Sequence, residues 1–263
     1  MVETPSRAPK EWRERIRRGE WTRPTAGLAP GHAQANLVIV PRALAYDFLV
    51  FCQRNPKPCP LLEVTDPGDP RPRYTAQGAD LRTDLPKYRI YERGTLTAEV
   101  TDLKSLWRDD LVAFLLGCSF TFEHAMRRAG IPVRHMEAGV NVPMYVTSIP
   151  CKVSGPFQGP MVASMRPVPS HLLPRTVQVT SRYPLAHGGP VHIGAPEAIG
   201  IQDLGRPDFG DPVEVREGEV PVFWACGVTP QAVALRARIE LLITHAPGHM
   251  FLTDLLDEDL ALA

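Results

Sequence analysis

The chain of 263 residues lacks the marks by which the commonest function classes show themselves. Lys and Arg together number 29, as do Asp and Glu, so the formal net charge is zero and no basic field is offered to nucleic acid. No apolar run approaches the roughly 20 residues of a membrane span; the longest, LVAFLLGCSFTF at 111–122, is far shorter. The opening MVETPSRAPKEWRERIRRGE has no apolar centre to serve as a secretion signal, so a cytoplasmic protein with no membrane partner is expected. Cys52, Cys59, Cys118, Cys151 and Cys226 stand far apart with no CxxC, which signals neither a disulfide framework nor a thiolate zinc site. GxGxxG, Walker A and GxSxG are missing as well, against dinucleotide, P-loop and α/β-hydrolase readings. No internal repeat is evident.

What the chain does have is proline, 28 of its residues, about twice the usual share of roughly 5%. Proline and glycine punctuate apolar segments throughout, which predicts many short elements joined by defined turns. Spacing predicts an exposed helix near 10–20, a strand at 34–40 and a helix at 42–55, followed by strands at 61–64, 87–92 and 96–100 around a long polar loop. A helix is predicted over 104–129, broken at Gly117-Cys118-Ser119. Such a break would set Cys118, Ser119 and free N–H groups at a helix start, where anions are favoured. Strands follow at 132–136, 142–149, 160–166 and 191–193, with a helix near 171–182. A strand at 220–226, a helix from about 230, a strand at 240–244 and an acidic tail close the chain. The expectation is an α/β fold, a mixed sheet with short helices in two interleaved lobes. One lobe would take 1–135 with 216–263, the other 136–215, within a single unit of 1–263.

Histidine, acid and thiol gather at four tight turns: GCSFTFE (117–123), RHMEAGVNVPMY (134–145), HGGPVHIG (187–194) and the pair WACGVTPQ (224–231) with THAPGH (244–249). Such element ends are where α/β proteins place ligands. His245 and His249 have the i, i+4 spacing of a zinc helix, but Pro247 and Gly248 lie between them and the acid of HExxH is absent, so two separately presented imidazoles are expected. His187 and His192 also straddle a turn, and no metal is assigned. Glu137, just past a predicted strand end beside His135, would have its pKa raised if buried and could then act as general acid or base. Arg23, Arg82, Arg134, Arg166 and Arg182 each stand apart from charge runs and could clamp a carboxylate.

These words, with PTAGLAPGHAQANLVIV (24–40), FCQRNPKPCPLLEV (51–64), ADLRTDLPKYRIY (79–91), NVPMY (141–145), GPMVASMRP (159–167), VPVFWACGVTPQ (220–231) and ITHAPGHMFLTD (243–254), resemble the D-glutamate cyclase-like hydro-lyase family, in order from about residue 20 to 254. The resemblance implies a cofactor-independent α/β lyase acting on a small carboxylate substrate, with dehydration of D-glutamate to 5-oxo-D-proline in characterised relatives. His32, Val140, Val146 and Ser148 depart from the family pattern, which takes His32 out of the catalytic set and leaves the substrate open.

Closing a lactam needs a base for the ammonium, donors for the oxyanion and an acid for the departing oxygen. Glu137, His245 and His249 are expected to supply the acid and base, with Cys118 as a nucleophile in a covalent variant. Arg82, Arg166, Ser119, His187, His192 and Asn141 are expected to bind substrate. No cofactor, metal or nucleic acid is expected, and a homo-oligomer is allowed. Dehydration of another small acid, non-catalytic binding of a carboxylate metabolite and metal-dependent hydrolysis stay open as alternatives.

Overall fold

The computed structural model describes residues 8–262. Helix α1 (Pro9–Arg17) opens on a proline, whose missing N–H costs nothing at a helix start. It is not an exposed helix: Trp12, Arg13 and Ile16 are buried, with Arg13 Nη1 donating to the Leu252 carbonyl at 2.9 Å. Strand β1 (His32–Pro41) is buried along almost its whole length and leads through Pro41 into α2 (Arg42–Arg54), whose Phe48, Phe51 and Cys52 face the core. Strands β2 (Leu61–Val64), β3 (Tyr88–Glu92) and β4 (Thr95–Val100) follow, with the expected long irregular stretch between β2 and β3.

The helix expected over 104–129 is a strand in its middle. Residues Leu111–Gly117 form β5, and helix begins only at α3 (Phe120–Arg128). A short run that is apolar throughout has no period to separate strand from helix. Here Phe114 and Leu116 fill the core on one sheet face while Leu111, Ala113 and Leu115 fill it on the other. The error at 132–136 is the reverse: Arg134–Ala138 form a short helix, α4, stopped by Gly139 in the left-handed region that glycine enters freely.

Strands β6 (Met144–Pro150) and β7 (Pro160–Pro169) start a second sheet, and α5 (Leu173–Ser181) lies where a helix was expected. The two-residue β8 (His192–Ile193), then β9 (Glu219–Ala225), α6 (Val228–Arg236), β10 (Leu241–His245) and β11 (Phe251–Leu256) complete the order, with a 3-10 turn at Asp257–Leu260. The first sheet has the order β2-β5-β1-β10-β3-β4, with β11 also on β1; the second is β6-β7-β9-β8. The α/β class holds, but the strands divide between two sheets in which every described pairing is antiparallel. The second sheet reaches Ala225 through β9, past the expected return at 216. No helix among the described residues is long and apolar enough to cross a membrane.

β10 and β11 are one line of chain along β1, interrupted. Val38 pairs with Thr244 and Ala35 with Phe251, so residues 245–250 stand opposite only Asn36 and Leu37. The surplus loops out as APGHM, a wide bulge, with Gly248 at φ +77° and its carbonyl accepting the Thr25 N–H at 2.8 Å. This is why two histidines four apart in sequence do not share a helix face.

Candidate active site at the strand-to-helix junctions

Two junctions are built alike. β5 passes through Cys118 and Ser119 into α3, and β9 passes through Cys226 and Gly227 into α6. The six residues Cys118–Glu123 and Cys226–Gln231 share the pattern Cys-x-x-Thr-x-Glu/Gln. In each the Thr N–H caps back onto the Cys carbonyl, Thr121 at 3.2 Å and Thr229 at 2.9 Å. In each the residue after Cys is already helical, Ser119 at φ −62° and Gly227 at φ −63°. The local repeat is six residues long with two identical positions, too short to stand out in the sequence. Asn36 of β1 ties the junctions together: its Nδ2 donates to the Gly117 carbonyl at 2.8 Å, and a Cβ on Gly227 would lie 2.2 Å from that nitrogen. Gly117 is equally constrained, because a Cβ there would lie 1.7 Å from the Leu185 carbonyl oxygen.

The first junction carries a buried ionic network. Arg166 of β7 is fully buried and packs over the adjoining rings of Phe122 and Trp224, 5.1 and 5.3 Å from their centroids. Its Nε donates to Glu123 Oε1 at 2.9 Å, Nη1 to Ser164 Oγ at 3.0 Å, and Nη2 to Ser119 Oγ at 2.9 Å and to Glu123 Oε1. His135 Nε2 lies 3.2 Å from the same carboxylate oxygen, within ion-pair range though off the line of a hydrogen bond. Burial alone would raise the Glu123 pKa, but the charge of Arg166 and the nearby His135 overcome it and hold the group down at about 2. Glu123 is therefore a fixed carboxylate near neutrality.

Beside this network opens a cleft of about 410 Å3, lined by Gln34, Phe120, Glu123, His124, His135 and Asn141 among others, with Pro247 and Gly248 of the bulge on its rim. On α3 adjacent side chains point about 100° apart, so Glu123 turns inward to Arg166 while His124 turns toward the C-terminal segment. Its Nδ1 lies 2.9 Å from Asp257 Oδ2.

The expected site residues divide. Cys118, Ser119 and Arg166 meet at the first junction, and Asn141 lines the cleft, with its Oδ1 taken by the Val142 N–H at 3.0 Å. Burial pushes the Cys118 thiol up to about 12 despite the Phe120 N–H that points at it. Glu137 is not buried beside His135: α4 turns it outward, its side chain 54% exposed and 3.4 Å from Arg134 Nε, over a separate hollow. Arg82 is bonded to Asp80 within its own loop, Nη2 to Oδ2 at 2.7 Å, and lines another hollow with Asp69 and Arg71.

His245 is buried at the bulge, where its Nδ1 accepts the Leu37 N–H at 3.1 Å and lies 3.0 Å from Gln231 Nε2. The ring replaces the strand partner that the bulge removes. Burial pushes its pKa down to about 4. His249 Nδ1 donates to the Pro247 carbonyl at 2.8 Å, since a carbonyl can only accept. His187, at φ +77°, donates from Nδ1 to the Lys57 carbonyl at 2.9 Å, and burial holds it near pKa about 4. His192 pairs with Phe223, and strand parity puts these on the face of Met165, opposite that of Ser164 and Arg166. Among the described residues no group of three or more His, Cys, Asp or Glu could hold a metal ion.

Glu123, His124, His135 and Asp257 were not given roles from sequence. Glu123 stood inside GCSFTFE, and the signal available was a Glu-His pair in the first turns of a helix that follows a buried strand.

The D-glutamate cyclase family model matches residues 112–254. The chain belongs to the D-glutamate cyclase family. A relative from Stutzerimonas stutzeri is 66% identical over 253 residues, covering 96% of each chain. One from Bacillus licheniformis is 66% identical over 250 residues, covering 95% of each, and one from Thermoanaerobacter sp. is 65% identical over 253 residues, covering 96% of each. All three bear the provisional name hydro-lyase, so hydro-lyase is the class that membership of the D-glutamate cyclase family carries here. A solved nitrogen repressor-like protein of Methanococcus jannaschii overlaps 89% of this chain and 91% of its own at 12% identity and a TM-score of 0.40. The matched span 112–254 holds both junctions, Arg166 and the bulge.

Proposed function

We propose that the chain removes water from a small amino acid without a cofactor, and that the reaction is ring closure of D-glutamate to 5-oxo-D-proline. The observation that carries this reading is the cleft itself, where one permanently ionised carboxylate, Glu123, borders a hollow that also presents two imidazoles. The family match and the hydro-lyase relatives support the class.

Ring closure moves two protons from nitrogen to oxygen. The ammonium gives up one proton, the free amine attacks the γ-carboxyl carbon, the C–N bond forms, and the C–O bond breaks as the oxygen leaves with two protons as water. No net proton enters or leaves, so groups that take and return protons suffice. Glu123, ionised well below neutrality, is a poor proton carrier; it attracts the ammonium, and Arg166 holds it in position rather than reaching the ligand. His135 lies on the cleft wall beside Glu123, Nε2 3.2 Å from Oε1, an imidazole placed to exchange protons with the bound substrate rather than with Glu123. Asn141, with its Oδ1 occupied, has its amide N–H groups left to donate to a developing oxyanion. Cys118 with a thiol at about 12 has almost no thiolate near pH 7, against the covalent variant.

Purified protein incubated with D- and L-glutamate should form 5-oxoproline, read by chiral chromatography, with one enantiomer preferred. Replacing His135 by Gln should reduce turnover by about 10²-fold or more. Absence of 5-oxoproline from both enantiomers removes the glutamate reading.

A further inference from the structure

We infer that His124 is a catalytic base of this cleft and Asp257 the residue that positions it. The assignment rests on the cleft being the reaction site and adds to it a proton-transfer pair that neither the motifs nor the family match points to.

Asp257 is buried, its side chain 2% exposed, in the 3-10 turn that follows β11. Its backbone is fixed by its own N–H donating to the Gly31 carbonyl at 2.9 Å. Oδ2 accepts from His124 Nδ1 at 2.9 Å, and Oδ1 is buried with no hydrogen-bond partner among the described residues. A buried carboxylate left half satisfied is costly, and in a native fold it calls for a reason. A carboxylate oxygen that is ionised can only accept, so Nδ1 carries a proton, and in the neutral ring Nε2 is then the free lone pair. The His124 side chain is 24% exposed and lines the cleft beside Glu123 and His135. This is the arrangement in which an imidazole takes a proton at Nε2 while the carboxylate behind it holds the tautomer and stabilises the cation that forms.

In the ring closure the step is balanced: the substrate ammonium loses one H+ to His124 Nε2, the amine lone pair makes the C–N bond, the imidazolium returns that H+ to the departing oxygen, and the second proton leaves nitrogen for the same oxygen by the same route as the C–O bond breaks and water departs. The charged and titratable groups around His124 are Asp257 and Glu258 on the C-terminal turn, Glu123 and Arg128 on its own helix, and His135 on α4.

The competing account is that the contact only tethers α3 to the C-terminal segment. A second tether isolates that account, because Arg128 Nη2 donates to Glu258 Oε1 at 2.9 Å on the same helix and turn. His124→Ala should lower kcat by about 10²–10⁴-fold with intact folding, and added imidazole should restore part of it. Asp257→Asn should lower kcat by about 10²-fold or more and displace the acid limb of the pH profile, because an amide can donate to Nδ1 and trap the wrong tautomer. Glu258→Ala should retain wild-type kcat. Equal losses in Glu258→Ala and Asp257→Asn, or full activity in His124→Ala, overturn the assignment. Nitrogen NMR of the labelled histidines separates this from the choice of substrate: His124 should be the Nδ1–H tautomer in wild type and lose that state in Asp257→Asn. An Nε2–H tautomer in wild type overturns the dyad even if glutamate is turned over, whereas an Nδ1–H tautomer in a protein that leaves glutamate untouched removes only the substrate.

Discussion

Lowering the pH from 7 to 5 should destabilise the fold through two buried histidines. Burial lowers both His187 and His245 to about 4, against roughly 6.5 in an unfolded chain. Between those values the unfolded chain binds more protons than the folded one. The contribution is therefore fully present above about pH 6.5 and is lost progressively as the pH falls toward 4. Integrating from pH 7 to pH 5 gives about 2 kcal/mol per histidine, about 4 kcal/mol for the two. Glu123 has the opposite charge type but the same sense: held at about 2, it begins to cost stability only below its unfolded value of roughly 4.3. The window from 7 to 5 thus reports the imidazoles. Urea unfolding followed by fluorescence of the buried Trp12 and Trp224 should show the midpoint falling by about 1.3 M, for a slope of about 3 kcal/mol/M at this chain length. His245→Gln should be less stable at pH 7 yet lose about half of the pH dependence. A wild-type midpoint that barely moves, or a His245→Gln variant with the full wild-type slope, refutes the reasoning.

Gly117→Ala should cost at least about 3 kcal/mol, because the added methyl meets a backbone carbonyl at 1.7 Å and cannot rotate away; a thermal melt reads it, and near-wild-type stability contradicts the packing. Glu123→Gln should cost about 3–5 kcal/mol by leaving the Arg166 charge buried without its carboxylate, and Glu123→Leu with Arg166→Met should recover most of it in the same urea titration. Cys118→Ser should keep kcat within about threefold, since a thiol at about 12 is not a nucleophile near pH 7; loss of all activity in a folded variant would restore the covalent route.

Much of the order of elements was legible because periodicity and turn residues agreed. The strand at 34–40, the helix at 42–55 and the strand at 220–226 each lie within or nearly on an observed element. Failures came where local signals do not carry the answer. β5 is apolar at every position because both of its faces are covered, which erases the alternation by which strands are recognised. His135 and Glu137 lie on α4, whose five residues are held by tertiary contacts, among them Arg134 bonded to Glu219 of β9. A helix that short has little stability of its own for a sequence pattern to record.

The site was harder to read than the fold for a geometric reason. Sequence reasoning ranked residues by chemical type at glycine- and proline-rich turns, which selected Glu137, His245 and Arg82. Access and partnership are decided by which face a residue takes. Glu123 and Gln231 occupy equivalent places in the two junctions and each meets a histidine, His135 for the first and His245 for the second. Beyond that the junctions differ in one respect that matters. β7 sets Arg166 against the first and gives it a charged network, whereas the bulge gives the second a neutral ring that accepts a backbone N–H. The same local design thus yields an ionic cluster at the edge of a cleft in one place and a structural hydrogen bond in the other. The exchange of Glu123 for Gln231 and the partner that strand register brings to each, Arg166 or the bulge, together distinguish them. Changing Arg166 should accordingly perturb Glu123 and the cleft while leaving the Gln231–His245 contact and its pH signature in place.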